Sequence, residues 1–410
     1  FNGQEFEGSP IETKILKGNK FWAMDGFGLD IVAQSERPSL SVRFTGELEP
    51  EFSGEYDFEI FSIGPSRLTM NDAVLIDNWT SQDPGDAFFG MGSAPRRGKI
   101  NLEKGQSYSL EVEYKWEGRF PAVQIGMQAP DQFNLMEEAA TIAQDADAVI
   151  LIVGTNSDWE TEGNDRENLS LPSNQNELVE TVCKLNRNTV VVLNTGSPCE
   201  MPWVEEANAI LQCWFPGQEF GNSLADILFG TVNPSGKLPT TFPKKLSDTP
   251  AFPTYPGKDM QMDYEEGLFI GYRWYDREAI EPLFPFGHGL SYTTFEYSDL
   301  RAIPPKGESS VAAFEVAVKN SGNVSGKEIV QGYVGSSSSQ IERPNKELKK
   351  FDKVFLAPGE SKKVIFELSE RDLSFWNVET NTWQVEPAEY IFSIGSSATD
   401  IKETVSVWLG

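Results

Sequence analysis

The sequence predicts a multidomain protein in which an all-β sandwich is followed by a parallel α/β domain and then by a second β-sandwich. Apolar and polar residues alternate with a period of two near both ends of the chain, which is typical of half-buried antiparallel strands. In the middle of the chain, short continuous apolar runs alternate with stretches of helical composition. That second pattern is typical of strands that helices cover on both faces.

Residues 1–130 are predicted to form the first β-sandwich. Three stretches alternate clearly, and Gly, Pro and Asp residues separate them: Leu40–Gly46, Gly54–Ile60 and Tyr108–Tyr114. Several such strands at short spacing favour two antiparallel sheets packed face to face.

Residues 131–298 are predicted to form the α/β domain. The expected helices are Asn134–Asp145, Ser173–Leu185 and Phe220–Phe229, with Ser173 as the N-cap of the second. The expected buried strands are Ala148–Gly154, Thr189–Asn194 and Ala209–Trp214. Alternation of strand and helix predicts a parallel sheet with right-handed crossovers, and ligands of such sheets bind beyond the carboxyl ends of the strands.

Residues 299–310 are rich in Pro, Gly and Ser and are predicted to form a linker. Alternation then returns, so residues 311–410 are predicted to form a fibronectin type III-like sandwich. The stretches that carry this prediction are Val311–Val318, Ile329–Val334, Lys363–Leu368 and Glu389–Gly395.

The composition excludes several classes of function. The 62 acidic and 34 basic side chains give a net charge of −28, which disfavours nucleic acid and anionic lipid as partners. No apolar run is long enough to span a membrane. Three cysteines are too few for a disulfide framework, and a single histidine, His288, excludes Ser–His and His-rich zinc sites. The predicted chemistry therefore depends on carboxylates and needs no cofactor and no metal.

A cluster of acidic residues follows the first predicted α/β strand. Five carboxylates lie within ten residues between Asp158 and Glu167. A loop at the carboxyl end of a parallel strand can direct a carboxyl group towards a ligand. A solvated acidic loop of no function is the alternative that the residues themselves leave open.

Four sets of motifs show a resemblance to a known family. Glu162-Gly163-Asn164-Asp165-Arg166 resembles the Glu-Gly-x-Asp-Arg sequence in the acid/base loop of the family 3 glycoside hydrolases. Further matches to that family are Trp214–Glu219, Leu224–Pro239, Gly271–Asp276, Phe284–Thr293, Arg343–Phe351 and Leu356–Ser361. The first region is similar to the protective-antigen-type sandwich that some β-glucosidases of the family insert, on Phe44–Leu48 and Leu75–Trp79.

The resemblance implies a retaining, exo-acting β-glucosidase that removes terminal non-reducing β-D-glucosyl residues. Retention requires two carboxyl groups about 5–5.5 Å apart. The resemblance assigns the general acid/base to Glu162 and assigns Asp165 and Arg166 to holding the loop. Glu160 and Glu167 are the competing candidates for the acid.

The nucleophile is where this chain departs from the family pattern. In the family it is an Asp in a Ser-Asp-Trp context on a preceding (β/α)₈ barrel. Ser157-Asp158-Trp159 repeats the triplet in the wrong domain, and we interpret it as coincidence. Only three α/β strands are convincing where the family has about six, so this domain is expected to be the C-terminal portion of a larger one. The barrel, as a missing segment or a separate chain, is the expected partner, and no activity is expected without it.

Three aromatic residues are predicted to contact the substrate. Phe88 and Phe89 form a pair in a Gly/Pro loop, for which core packing is the alternative, and Trp159 is either a sugar-stacking residue or a loop anchor. Two other functions stay open: a non-catalytic carbohydrate-binding or scaffold protein, and a family 3 enzyme for another sugar such as β-xylosides. The residues also leave open a homo-oligomer and the choice between cytoplasm and secretion.

Overall fold

The computed structural model describes residues 1, 3, 5–15, 18–22, 40–116, 120–130, 135–157, 159–163 and 165–410. The chain divides into two compact units. The first comprises Phe1–Ala139 with Glu162–Asn164, and the second comprises Ala140–Thr161 with Asp165–Gly410. Within the described ranges, no helix is long and apolar enough to cross a membrane.

The first unit contains two four-stranded antiparallel sheets, as the alternating sequence predicts. Their orders are β1-β8-β3-β6 and β2-β7-β4-β5. The strands are β1 (Lys20–Trp22), β2 (Leu40–Leu48), β3 (Gly54–Ile63), β4 (Ser66–Met70), β5 (Ala73–Asn78), β6 (Arg96–Leu102), β7 (Tyr108–Trp116) and β8 (Ala122–Gln128). In β3 every second side chain is buried, including Tyr56, Phe58 and Ile60, and these side chains form the core with Leu68 and Val112. This period of two places the apolar face of each sheet inward.

A buried carboxylate lies on the central strand β7 of the second sheet. Glu113 is paired in register with Arg43 on β2 and with Arg67 on β4. Arg43 Nη2 donates to Glu113 Oε1 at 2.5 Å, and Arg67 Nε donates to Oε2 at 2.5 Å. Burial of this carboxyl raises its pKa, but the hydrogen bonds and charges of the two arginines outweigh burial and hold the pKa below its usual range.

Replacing Glu113 by glutamine is expected to destabilise the first unit by about 1–3 kcal/mol at neutral pH, because two arginines lose their charged acceptor. Since the pKa of Glu113 is lower in the folded state, its ionisation stabilises the fold above the unfolded pKa of about 4.3. That contribution is lost as the pH falls through the folded pKa. The difference in melting temperature between wild type and Glu113→Gln should therefore shrink at acid pH.

Glu55→Gln is the matched control, because Glu55 is an exposed strand residue whose ion pair with Lys99 is open to solvent on both sides. Its melting temperature should follow that of the wild type. A Glu113→Gln difference that stays constant from neutral pH to below the folded pKa would contradict this account.

The second unit begins with a parallel three-stranded sheet of order β11-β10-β9. Its strands are β9 (Val149–Gly154), β10 (Thr189–Asn194) and β11 (Ala209–Gln212). Among the residues that the structure describes, the α-helices are α1 (Ala87–Gly90), α2 (Leu135–Asp145), α3 (Gln175–Leu185), α4 (Phe220–Leu228), α5 (Tyr272–Glu278) and α6 (Glu370–Leu373). The first of these, α1, is a single turn in which Phe88 and Phe89 have left-handed rather than helical backbone angles. Val179 and Cys183 of α3 share a buried core with Val191 of β10, so this helix covers one face of the sheet.

Three local expectations for this domain are wrong. Ser173 is not the N-cap of α3, because its backbone has a positive φ of 53° and Asn174 occupies the cap position instead. The third strand ends at Gln212 rather than at Trp214, since Trp214 has a φ of 57° and the chain turns there. The expectation of cover on both faces also fails for β9, where Ile150 and Ile152 are each 52% exposed.

The C-terminal part of the second unit is a fibronectin type III-like sandwich of two antiparallel sheets, β12-β13-β16 and β15-β14-β19-β20, with a separate β17-β18 hairpin. Its strands are β12 (Phe295–Ile303), β13 (Ser310–Asn320), β14 (Gly326–Ser336), β15 (Glu347–Leu356), β16 (Ser361–Ser369), β17 (Phe375–Asn377), β18 (Thr382–Gln384), β19 (Ala388–Gly395) and β20 (Ile401–Leu409). The stacked rings of Phe314 and Phe392, with centroids 4.0 Å apart, lie in its core. The stretch expected to be a linker starts inside β12, because Ala302 and Ile303 still pair with β13 before two prolines follow.

Two of the sequence motifs contact each other across the seam between α5 and β15. Lys346 forms an ion pair with Asp276, and Arg273 Nη2 lies 3.1 Å from Glu347 Oε1. The backbone N–H of Leu348 donates to the Tyr272 hydroxyl at 2.8 Å. The Gly271–Asp276 and Arg343–Phe351 motifs therefore hold the last sandwich against the α/β domain.

Candidate active site

The carboxyl ends of the three parallel strands converge around Gly196. A Cβ built on Gly196 would lie 2.4 Å from Glu160 Oε2, in the loop after β9, and 2.6 Å from Phe215 Cε2, after β11. Only glycine therefore fits at this position without displacing both side chains. The sequence predicts the site at this edge of the sheet, and the acidic loop does begin there.

Glu160 is held inside the loop base by several donors. The Thr155 hydroxyl donates to Glu160 Oε1 at 2.7 Å, and the backbone N–H of Gly196 donates to the same oxygen at 3.2 Å. Arg166 Nη1 lies 3.8 Å from it. A carboxylate with this many fixed partners anchors the arm of the loop that precedes Glu162.

Arg166 anchors the arm that follows Glu162. Its guanidinium donates to the Ser197 hydroxyl at 2.8 Å and to the Ser170 carbonyl at 3.3 Å. Its ion-pair partner is Glu160, so these two residues link the two arms of the acidic loop. Asp165, one residue earlier, accepts a hydrogen bond from the hydroxyl of Tyr255.

Glu162 lies exposed at the tip of the loop. Gly163, the next residue, has a φ of 84°, a backbone conformation that residues other than glycine rarely adopt. Among the residues that the structure describes, none forms a hydrogen bond or ion pair with the Glu162 carboxylate. Its oxygens are therefore free to meet a ligand.

Within the first unit, the same tip adjoins Phe89. A Cβ on Gly163 would lie 3.2 Å from Phe89 Cδ1, and the Phe89 side chain is 40% exposed. Its neighbour Phe88 is buried instead, with its ring centroid 5.6 Å from that of Phe61. Of the pair, Phe88 belongs to the core and Phe89 to the surface beside Glu162.

The turn that carries the two phenylalanines has an unusual backbone. Phe88 and Phe89 have φ values of 54° and 61°, and bulky residues rarely adopt this left-handed region. Hydrogen bonds between the loop segments on either side hold the turn: Gly85 N–H donates to the Gly92 carbonyl at 3.0 Å, and Ala94 N–H donates to the Asp83 carbonyl at 2.7 Å. A strained turn fixed by its surroundings is a common feature of functional loops.

The other predicted site residues, Trp159 and Glu167, do not form one cluster in the described structure. Trp159 is partly buried, and its indole N–H is buried without a partner among the described residues. Its backbone N–H donates to the Asn156 carbonyl at 3.0 Å, which suits a loop anchor. Glu167 is exposed beyond Arg166. Asp158 lies outside the described residues.

Two other reactive groups of the α/β domain are buried or half-buried. Burial raises the pKa of the Cys199 thiol to about 12, so this thiol stays protonated and is a poor nucleophile. Burial lowers the pKa of His288, whose ring stacks on Phe284 at a centroid distance of 5.2 Å. Within the part of the chain that the structure describes, no group of three His, Cys, Asp or Glu side chains could hold a metal ion.

Sequence reasoning missed two supporting residues. It considered Glu160 only as a rival acid, although the adjacent Thr155 and the Thr-Gly-Ser segment after β10 offered the donors that hold it. It did not identify Tyr255, which is 90 positions from Asp165 in the sequence and belongs to no recognisable periodic pattern.

Three family models match this chain. Residues 32–131 match the PA14 domain, residues 105–292 match the glycosyl hydrolase family 3 C-terminal domain, and residues 328–398 match the fibronectin type III-like domain. The chain is 43% identical over 379 residues to a beta-glucosidase of Kluyveromyces marxianus, an alignment that covers 89% of this chain and 44% of that protein. It is 49% identical over 313 residues to thermostable beta-glucosidase B of Acetivibrio thermocellus, covering 75% and 39% respectively.

Solved structures show the same similarity. The crystal structure of the Kluyveromyces marxianus beta-glucosidase in complex with glucose aligns with a TM-score of 0.84 at 41% identity, covering 91% of this chain and 45% of that one. DesR, a beta-glucosidase from Streptomyces venezuelae in complex with D-glucose, aligns with a TM-score of 0.68 at 34% identity, covering 91% and 47%. The chain thus spans about half the length of the relatives it matches.

Proposed function

We propose that this chain, which belongs to family 3 of the glycoside hydrolases, is part of a retaining, exo-acting β-glucosidase. The substrate class is terminal non-reducing β-D-glucosyl residues, as the names of its relatives suggest. The observation that carries the proposal is Glu162, an exposed carboxylate on a loop whose two arms are fixed by Glu160 and Arg166. The fixed arms limit the movement of the loop as a whole, so less conformational freedom is lost when a substrate binds.

In the proposed reaction, Glu162 is the general acid and then the general base. The nucleophilic carboxylate of another part of the protein attacks the anomeric carbon, the glycosidic C–O bond breaks, and the Glu162 proton goes to the leaving oxygen. A water molecule then gives a proton to Glu162 and attacks the glycosyl-enzyme, which releases glucose and regenerates the nucleophile. Two inversions at one carbon give net retention.

The nucleophile is proposed to lie on a catalytic barrel outside these residues. The open face of β9 supports this, because Ile150 and Ile152 are half exposed on a parallel strand, and such strands are normally covered on both faces. Further polypeptide of the complete protein would cover these side chains and line the cleft opposite Glu162.

Phe89 is proposed to form an aromatic wall for the sugar of the leaving group. It is exposed, it adjoins Gly163 at the tip of the acid/base loop, and its strained backbone is held by the flanking hydrogen bonds. Aromatic faces suit the apolar faces of pyranose rings. Trp159 is better suited to anchoring the loop base, and Asp165 and Arg166 to holding the arm after Glu162.

Retention of configuration tests the proposed reaction class directly. The complete protein should release β-glucose first from a β-glucoside, before mutarotation forms the α-anomer, because the mechanism inverts the anomeric carbon twice. Proton NMR of the anomeric signals during the first minutes measures this. Initial release of α-glucose would contradict the retaining mechanism, and faster hydrolysis of the matching β-xyloside would contradict the choice of glucose.

A further inference from the structure

Tyr255 lies on the segment between β11 and α5. No residue of this segment has a role in the proposed reaction. Its hydroxyl donates a hydrogen bond to Asp165 Oδ2, and its side chain is 46% exposed. Asp165 is separated from Glu162 by only two residues. A single contact therefore joins a distant part of the sequence to the arm that carries the candidate acid.

The segment that carries Tyr255 is itself fixed on the α/β domain. The Tyr255 N–H donates to the Ala251 carbonyl at 2.8 Å, so the residue lies at the end of a tight turn. Upstream, the Leu246 N–H donates to Glu200 Oε1 at 2.8 Å, and the Glu200 N–H donates to the Leu169 carbonyl at 2.9 Å. Glu200 thus links Leu246, upstream of Tyr255, to Leu169, just beyond the acidic loop, and Asp165 provides the direct contact between Tyr255 and that loop.

The arm after Glu162 is held from two directions. Arg166 extends inward to Ser197 and Ser170, whereas Asp165 extends to Tyr255. Between this arm and Glu160, the exposed Glu162 and the conformationally free Gly163 have no comparable restraint among the described residues. The orientation of Glu162 then depends on how firmly the two arms are fixed.

We propose that Tyr255 is a positioning residue, which fixes Asp165 through its hydroxyl and so orients Glu162 for proton transfer to the leaving group. This inference rests on the proposed function and adds to it a residue that acts through another. The hydrogen bond from Tyr255 also raises the pKa of its own phenol, as expected for a donor to a carboxylate.

The test is Tyr255→Phe in the complete protein, which removes only the hydroxyl. Loss of one charge-assisted hydrogen bond that orients an acid is expected to lower kcat/KM for a disaccharide about five- to tenfold. A dinitrophenyl glucoside needs no acid, so its kcat/KM should be nearly unchanged. Tyr264→Phe is the matched control, because Tyr264 also lies between Tyr255 and α5, is 75% exposed, and its hydroxyl has no hydrogen-bond partner among the described residues.

A double-mutant cycle assigns the effect to the contact. Asp165→Ala with Tyr255→Phe should lower disaccharide hydrolysis no further than Asp165→Ala alone, because the second change then removes a bond already lost. Full additivity of the two effects would overturn the proposal. So would equal losses on the disaccharide and the dinitrophenyl glucoside, or a Tyr255→Phe enzyme indistinguishable from Tyr264→Phe.

Glu162→Ala in the same assay separates this inference from the proposed function. If Glu162→Ala shows a leaving-group-dependent loss and Tyr255→Phe does not, only the positioning role is overturned. If Glu162→Ala shows no such dependence, the acid assignment fails, and the role of Tyr255 in orienting that acid fails with it.

Discussion

Replacing Glu162 by alanine in the complete protein is expected to slow hydrolysis of poorly activated glycosides by about two to four orders of magnitude. A disaccharide leaves as a strongly basic alkoxide unless it is protonated, whereas a dinitrophenolate leaves readily without a proton. The loss should therefore increase with the basicity of the leaving group. The measurement is kcat/KM for a series of aryl glucosides and a disaccharide, compared between wild type and variant.

The second step, hydrolysis of the glycosyl-enzyme, provides an independent test of the role of Glu162 in the same variant. Without a general base, hydrolysis of the glycosyl-enzyme by water is slow even when the leaving group is good. Azide is an anion and needs no base, so it should restore turnover of a dinitrophenyl glucoside by Glu162→Ala and yield a glucosyl azide. Azide should have little effect on the wild type.

Two other carboxylates of the loop provide the controls. Glu167→Ala removes an exposed carboxylate from the same loop and should leave the leaving-group dependence unchanged. Glu160→Gln weakens the contacts with Thr155, Gly196 and Arg166 that fix the arm before Glu162, so it should lower the melting temperature and give a smaller leaving-group-dependent loss than Glu162→Ala. A leaving-group-dependent loss for either variant, with none for Glu162→Ala, would reassign the acid.

The 410-residue chain by itself is expected to show no glycosidase turnover above the uncatalysed rate. A retaining glycosidase needs a second carboxylate about 5–5.5 Å from the acid, and the proposed nucleophile lies on other polypeptide. Release of nitrophenol from a β-glucoside by the isolated chain, with a cooperative melting transition as proof of folding, measures this. The polypeptide that carries the proposed nucleophile, added in trans or fused, should restore activity.

Glu162→Ala in the isolated chain is the control for activity from a contaminating glycosidase. Turnover that persists in this variant comes from another protein. Turnover by the isolated wild-type chain that Glu162→Ala abolishes would show that the nucleophile lies within these residues, and the proposed division of the active site would be wrong.

Buried strands of the α/β domain were predictable because their signal is local. Thr189–Asn194 is a run of β-branched and apolar residues, and β10 has those same bounds. Ends of elements were less predictable, since the turns at Ser173 and Trp214 depend on backbone conformations with positive φ. The open face of β9 could not be predicted from its composition, because an apolar run does not show which polypeptide covers it.

The candidate site also has a part that the sequence predicts and a part that it does not. The loop with Glu162, Asp165 and Arg166 was predictable from the order of residues after β9 and from a motif. The contacts that fix it were not, because Glu160 meets Gly196 and Asp165 meets Tyr255 only after folding brings distant segments together. Phe88 and Phe89 are adjacent in the sequence, yet one is buried and the other exposed, which only the conformation of their turn determines.

The seam between α5 and β15 restricts how this protein can be recombined with its relatives. Lys346 and Glu347 on one side are neutralised by Asp276 and Arg273 on the other. A chimera joined between the two motifs brings together halves that did not evolve as a pair, and any mismatch leaves charges without counterions. Crossover points placed before Gly271 transfer both motifs as one cassette and keep the pairs intact.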